Sequence, residues 1–431
     1  MHDFTTRIFV FIALMISLRS VADAEILELP FPEASTNGAA HYNRAMLTLS
    51  GVPIEHRSAL AGPIWEVFGD STKEDLAKKV KELTLHTRHA IAAAVTGSEK
   101  VHADFGIDYG YQGHNSSLPH AQPMLQLGRL LTLSGIGKQI EEDWEGAAIQ
   151  FFASMRIGRH MAEQPTLVES LVGVEILENN YYAFAFWAAK CPNKDLVTKA
   201  FTRLELGSAS AVNPVRTIAY EAVVFDRQLQ RLMGSYPNGS WSEMLLESLG
   251  EYEAVGKDLD DHRDQTRKKC IACGVPATAF ESPAAFTSYV EKIRNLHKAY
   301  LSDVAVCMHL PVPERLQEAD RLMNQYGSKF KELGDQHLLD ARQIASFFAT
   351  HSAQQQMARV ALAAAATRDG NKFPATLKDI PLLSGSNLLS PYDGSPIEYE
   401  VLNDGSDISV RVKAADVKGI ALPAIEFTSE R

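Results

Sequence analysis

Histidine, aspartate and tyrosine residues are concentrated in one segment of the chain, residues 102–120. These histidines, aspartates and tyrosines are His102, Asp104, Asp108, Tyr109, Tyr111, His114 and His120. Two more histidines, His86 and His89, lie three residues apart on the helix predicted just before it, so they share a face. Imidazole and carboxylate groups are ligands for divalent metal ions. No compact metal motif such as H-E-x-x-H occurs, so a solvated loop with turn residues is the leading interpretation. A metal site is the alternative, and its candidate ligands are His86, His89, Asp108 and His114.

The four cysteines of the chain are Cys191, Cys270, Cys273 and Cys307. A reactive C-x-x-C motif places its first cysteine at a helix N-terminus, which lowers the thiol pKa. Gly274 and Pro276 follow this motif closely and disfavour such a helix. We therefore predict a structural disulfide, either within the motif or between it and Cys191 or Cys307. Thiol–disulfide exchange by Cys270 and Cys273, a metal site completed by His262 or His309, and free thiols remain alternatives.

Four polar residues interrupt the most apolar predicted helix, residues 166–190: Glu175, Glu178, Asn179 and Asn180. A buried carboxylate must be paired or neutral, so this set marks either a pocket or the solvated side of the helix. Neither a nucleophile elbow (G-x-S-x-G) nor a phosphate-binding loop (G-x-x-x-x-G-K-[ST]) occurs in the chain. The sequence therefore predicts no catalytic residue and no cofactor.

The first 24 residues have the pattern of a secretory signal peptide. Arg7 precedes an apolar run at residues 8–18, and the run is followed by Ala22-Asp23-Ala24, a small-residue cleavage site. A membrane anchor is the alternative, but a spanning helix needs about 20 apolar residues. We therefore predict cleavage after Ala24, export to the periplasm or the medium, and no membrane span in the mature protein.

The 431-residue chain is acidic, with a net charge of −11, and has no long run of lysine and arginine. We therefore do not expect the protein to bind nucleic acid, because such binding depends on clustered cations that neutralise phosphates. The hydrophobic fraction of 45% and the charged fraction of 22% are typical of a globular protein with a sizeable core.

The spacing of apolar residues predicts a mainly α protein. Helices are expected near residues 39–49, 72–97, 122–135, 141–163, 166–190, 193–206, 214–233, 241–250, 284–309, 313–332 and 336–369. Alternating residues at 397–401 and 408–412, separated by Asn403-Asp404-Gly405, predict an antiparallel β-hairpin, with a third strand expected at 420–427.

This pattern predicts four consecutive regions of the chain. They are the signal peptide (residues 1–24), a leader (25–37), a helical domain (38–335), and a long helix that leads into a small sheet (336–431). The fold class is therefore an irregular array or bundle of helix pairs with a small C-terminal α+β module.

Two segments resemble known families. An acidic turn followed by Ala147-Ala148 and Phe151-Phe152 resembles the second helix of a tetratricopeptide repeat, but no 34-residue period recurs. The stretches Gly370-Asn-Lys-Phe-Pro374 and Ser390-Pro391-Tyr392-Asp393-Gly394, placed after an alanine-rich helix, resemble the globular part of type II secretion pseudopilins. That resemblance implies a helix packed on a small sheet. The chain lacks the prepilin cleavage motif, so we do not expect it to polymerise.

The whole chain resembles a group of exported planctomycetal proteins. The residues that carry the resemblance are Ala39-Ala40-x-Tyr42, Leu127-x-Arg129-Leu130-Leu131, Arg156-x-x-Arg159-His160 with Pro165-Thr166-Leu167, and the C-terminal stretches. The resemblance implies architecture and location but no activity. The leading hypothesis is a non-enzymatic helical protein that binds a protein or peptide partner in the cell envelope. A metal-dependent hydrolase with its site around loop 102–120, and a thiol–disulfide protein, are the alternatives.

Overall fold

The computed structural model describes residues 36–62, 73–107, 109, 118–208, 212–235, 268, 271–272, 275–332, 339–383, 385–417 and 419–429. The described residues form eleven α-helices and a small antiparallel β module, which confirms the predicted mainly α fold. The signal peptide, most of the leader and the helix predicted at 241–250 lie outside these residues. Within the described ranges, no helix has an apolar stretch that would let it cross a membrane.

The helix bounds agree with the predicted ones to within about five residues. The helices are α1 Ala39–Ser50, α2 Ile54–Arg57, α3 Lys73–Ser98, α4 Ala121–Ile140, α5 Trp144–Ala162, α6 Leu167–Lys190, α7 Lys194–Ser208, α8 Pro214–Ser235, α9 Pro283–Cys307, α10 Val312–Glu332 and α11 Ala341–Thr367. Side chains fix several of the starts. Asp143 caps α5, Asp340 caps α11, and Thr166 forms a capping box with Glu169 at the start of α6.

Helices α4, α5 and α6 form the centre of the helical part, because each packs against the other two. Glycines let them approach closely: Gly128 of α4 faces Ile176 of α6, and Gly135 of α4 faces Phe151 of α5. Helix α3 packs on α4 and α5, and α1 packs on α3. Consecutive helices therefore pack in pairs, as predicted, and the pairs form an irregular array.

The C-terminal module contains two small antiparallel sheets. Strands β1 Glu398–Leu402, β2 Asp407–Val412 and β5 Ile425–Thr428 form the first sheet, and β3 Ala415–Val417 pairs with β4 Ile420–Leu422. The predicted hairpin is confirmed, with its turn at residues 403–405. The third strand predicted at 420–427 is present as β5, but its bounds were wrong, since residues 420–422 form the separate strand β4. Pro423 lies between them, and a proline cannot donate a ladder hydrogen bond.

Helix α11 connects the helical part to the sheet module. It packs against α6, α7 and α10, and also against β2, β4 and β5. Six of its last ten residues are buried alanines, and such small side chains allow close neighbours on every side of the helix. Beyond its end, Arg368 donates hydrogen bonds to the carbonyl oxygens of Ala189 and Cys191 at the end of α6. Both parts of the chain therefore share one continuous core.

Candidate functional site

A cavity of about 70 Å³ lies where α5, α6, α7 and α11 meet. Its apolar walls include Phe152, Leu177 and Leu204. Its polar lining consists of three arginines and two uncharged groups: Arg156, Arg159, Arg203, His351 and Gln355. No carboxylate is among the described residues that line it. We refer to this cavity as the arginine pocket.

The three arginines of the arginine pocket come from two helices. Arg156 and Arg159 lie three residues apart on α5, so they share a face. The guanidinium of Arg203 on α7 lies 4.5 Å from the centre of the Phe152 ring. Arg159 lies 4.0 Å from the Glu163 carboxylate, whereas Arg156 makes no hydrogen bond or ion pair with the residues that the structure describes. The pocket is therefore locally positive in an acidic protein.

His351 of α11 provides an unsatisfied polar group at the arginine pocket. The residue is 5% exposed, and neither ring nitrogen has a hydrogen-bond partner among the described residues. Its ring packs against Tyr181 with 5.7 Å between the ring centres. Burial lowers the pKa of His351 to about 4, so the imidazole is neutral at neutral pH. A buried polar group without a partner costs about 1–3 kcal/mol, which a ligand oxygen that accepts from the ring N–H would recover.

The size of the arginine pocket limits what it can hold. A volume of about 70 Å³ accommodates roughly two water molecules, whereas sites for drug-sized ligands enclose about 300–1,000 Å³. The pocket therefore fits one small anionic group while the rest of the ligand stays outside. A carboxylate suits this environment because the guanidinium group donates two parallel hydrogen bonds to it.

A larger groove of about 480 Å³ lies between α10, α11 and β4, but the charged side chains that line it already pair with one another. Arg342 in this groove lies 3.6 Å from Asp320 and 3.3 Å from Asp340. The groove is also open to solvent along its length. The arginine pocket is therefore the better candidate for ligand binding.

Two of the four polar residues that interrupt α6 join it to neighbouring helices. Glu175 forms an ion pair with Arg129 at 2.6 Å. The Asn180 side chain donates to the carbonyl oxygen of Phe151 at 2.6 Å. None of the four predicted residues lines the arginine pocket, although Leu177 and Tyr181 between and beside them do. The pocket is therefore beside this set rather than formed by it.

Glu178 gives the protein a pH-dependent stability. Burial, and secondarily the nearby Glu175, raise the pKa of Glu178 from 4.5 to about 7. As the pH rises, the unfolded chain loses this proton first, so the contribution of Glu178 to stability falls between pH 4.5 and 7. We expect Glu178→Gln to gain about 3 kcal/mol of unfolding free energy relative to the wild type over that range. Urea unfolding at several pH values measures it, with exposed Glu314→Gln as the control. A difference that stays constant with pH would contradict it.

The first part of loop 102–120 is attached to the start of α1. The His102 carbonyl oxygen accepts from the Gly38 amide at 2.8 Å. The Asn37 side chain donates to the Asp104 carbonyl oxygen at 3.0 Å and accepts from the Asp104 amide at 2.9 Å. The ring of Phe105 stacks on His120, with 4.0 Å between the ring centres. The hydrogen bonds to His102 and Asp104 involve their backbone atoms, so they fix the course of the loop rather than the two side chains.

The second part of the loop is attached to α6 through one buried carboxylate. Tyr109 donates to Glu169 at 2.6 Å, and the Nε2 atom of His120 lies 2.7 Å from the same oxygen. Thr166 donates to the other oxygen at 2.7 Å. Burial, and then the charge of Glu169, raise the pKa of Tyr109, so the phenol stays protonated and donates. The described ends of the loop therefore have a structural role.

The predicted metal ligands are only partly covered by the structure. Asp108 and His114 lie outside the described residues. His86 lies beside His56 and Glu82 on α2 and α3, while His89 contacts Arg88, with 3.4 Å between the Arg88 Nε and His89 Nε2 atoms. No described residue of loop 102–120 belongs to the group around His86. Convergence of all four predicted ligands therefore stays a prediction.

Two of the four cysteines are described, and both are buried free thiols. Burial raises the pKa of Cys191, and it raises that of Cys307 to about 11. A raised thiol pKa disfavours nucleophilic chemistry at these two positions. Cys270 and Cys273 lie outside the described residues, so a disulfide or redox role for that motif stays a prediction.

Comparison with known protein families, with curated proteins and with solved structures gave no match for this chain. A fold alone does not determine a function, since unrelated activities occur on the same architecture. The geometry and charge of the arginine pocket therefore provide the basis for a functional assignment.

Proposed function

We propose that this chain is an exported, non-enzymatic helical protein that binds a protein or peptide partner through a carboxylate. The observation that carries the proposal is the arginine pocket, where Arg156, Arg159 and Arg203 surround a cavity whose described lining residues include no carboxylate. The buried and unsatisfied His351 adds a hydrogen-bonding group. Export is supported by the signal-peptide pattern that ends at Ala24.

Three features favour a peptide carboxylate over other anions. The small volume admits a single carboxylate, such as an aspartate or glutamate side chain or a chain end. The apolar walls of Phe152, Leu204 and Val212 suit the aliphatic part of such a group. The net charge of −11 disfavours polyanions at long range, so recognition relies on the few cations inside the pocket.

Equilibrium dialysis against two unlabelled hexapeptide mixtures tests the proposal. One mixture has free C-termini and contains aspartate and glutamate, and the other is C-terminally amidated and contains asparagine and glutamine instead. Mass spectrometry then measures which peptides the full mature protein retains. We expect retention of peptides from the first mixture only, because a guanidinium pairs with a carboxylate more strongly than with an amide. Equal retention of both mixtures would contradict the proposal.

Arg156→Gln and Arg203→Gln are each expected to weaken peptide retention by about tenfold or more, since each removes a charge-assisted hydrogen bond. Exposed Arg44 of α1 provides the matched control, because Arg44→Gln changes the net charge equally outside the pocket. Arg156 has no partner among the described residues, so we expect Arg156→Gln to retain the wild-type free energy of unfolding to within about 0.5 kcal/mol. Retention that is unchanged in both pocket variants would exclude this pocket as the binding site.

A further inference from the structure

A second group of chemically versatile side chains lies outside the arginine pocket, on α2 and α3. Glu82 and His86 lie one turn apart on α3, and His56 of α2 packs beside them. The Nδ1 atom of His56 lies 3.0 Å from a carboxylate oxygen of Glu82. The rings of His56 and His86 stack with 3.9 Å between their centres and 16° between their planes. One ligand atom from each of the three residues lies within 4.8 Å of the other two.

We propose that His56, Glu82 and His86 together bind one divalent transition-metal ion of the Zn²⁺ class. Two imidazole nitrogens and one carboxylate oxygen form an established donor set for zinc. Calcium and magnesium are disfavoured because they prefer sites made of oxygen ligands alone. This site is independent of the proposed peptide-binding function, since it shares no residue with the arginine pocket.

The distances require only small movements for metal binding. Ligand atoms placed about 2.1 Å from a tetrahedral metal ion lie about 3.4 Å from one another. The three ligand atoms are already within 4.8 Å of one another, so shifts of about 1 Å in side-chain position complete the site. Glu82 and His86 are exposed on α3 and free to make these shifts. The helix holds both ligands on one face, and the packing of α2 on α3 brings the third.

A simple surface ion pair explains only part of this arrangement. It accounts for the contact between His56 and Glu82, but not for His86, which stacks on His56 and makes no hydrogen bond or ion pair with the described residues. A metal ion uses all three groups at once. Because the Glu82 side chain is 53% exposed, the site is open to solvent and leaves a fourth coordination position for water.

Titration of the full mature protein with Zn²⁺, after removal of metal with EDTA, tests the site by isothermal calorimetry. We expect the wild-type protein to bind one Zn²⁺ per chain. The Zn²⁺ affinity should fall by about tenfold or more in His56→Gln and in His86→Gln. Co²⁺ in place of Zn²⁺ gives a second readout, since its visible absorption band reports imidazole coordination and should be lost in both variants. Circular dichroism checks that each variant is folded.

His89→Gln and His114→Gln are the matched controls, because both histidines belong to the ligand set predicted from sequence but not to this group. Both are expected to keep the wild-type Zn²⁺ affinity, as is Arg156→Gln in the arginine pocket. Absence of Zn²⁺ binding by the wild type would overturn the proposal. So would wild-type affinity in His56→Gln, or equal losses in His89→Gln and His114→Gln, which would place the metal at loop 102–120 instead.

Discussion

Gly173→Ala is expected to lower the free energy of unfolding by about 3 kcal/mol. Gly173 lies where α6 crosses α5, and a Cβ atom added there would lie 2.4 Å from the Ala162 amide nitrogen and 2.5 Å from the Gly158 carbonyl oxygen. Both atoms belong to the backbone, so no side-chain rotation relieves the contact. The two helices must separate, which opens gaps in the surrounding core.

Gly327→Ala in α10 is the matched control for this prediction. A Cβ atom at Gly327 meets no other atom within 4 Å. Replacing a glycine inside a helix with alanine then stabilises the protein by about 0.5–1 kcal/mol, because the unfolded chain loses conformational freedom. Urea unfolding of both variants measures the two effects, which should have opposite signs. A stabilising effect of Gly173→Ala would show that α5 and α6 are not in such close contact.

The sequence predicts the long helices well because their stability comes from local spacing and capping. Thr166 and Glu169, three residues apart at the start of α6, form the capping box that such a spacing produces. The turn at residues 403–405 joins β1 and β2 as its asparagine, aspartate and glycine indicate. These features depend on residues close to one another in the chain, so a single sequence is sufficient to find them.

The arginine pocket depends instead on contacts between distant segments. Arg156, Arg203 and His351 come from three helices, and no spacing along the chain indicates that those helices meet. Arg156 and Arg159 are among the residues that carry the resemblance to exported planctomycetal proteins, but the resemblance does not indicate what either side chain contacts. The sequence does place His351 within a long, largely apolar helix, where a buried histidine needs a hydrogen-bond partner or a ligand.

The group of His56, Glu82 and His86 could also be predicted only in part from the sequence, although its members are closer along the chain. The helical pattern of α3 places Glu82 and His86 on one face, and that much follows from the sequence. The third member, His56, lies in the four-residue helix α2, which is too short to give a periodic signal. The loop histidine among the candidate ligands, His114, lies outside the described residues, and the nearby loop residue His120 contacts Glu169 instead.

Glu169→Ala is expected to lower the free energy of unfolding by about 4 kcal/mol. The substitution removes the acceptor shared by Tyr109 and His120 and the acceptor of Thr166. Each buried donor that loses its partner costs about 1–3 kcal/mol. Glu314→Ala is the matched control, because Glu314 is likewise the third residue of its helix but is exposed. Its loss should cost about 0.5 kcal/mol, the value of a negative charge near a helix N-terminus.

The same variant tests how loop 102–120 is held. The described side-chain hydrogen bonds of Tyr109 and His120 both go to Glu169, so Glu169→Ala should release that part of the loop before the whole protein unfolds. Hydrogen exchange of the Tyr109 and Ala121 amides, which donate to the carbonyl oxygens of Ile107 and Leu118, should then become faster in Glu169→Ala and stay unchanged in Glu314→Ala. Equal exchange in both variants would mean that Asn37 and the start of α1 hold the loop without Glu169. The loop would then depend on α1, and Glu169 would act only as the cap of α6.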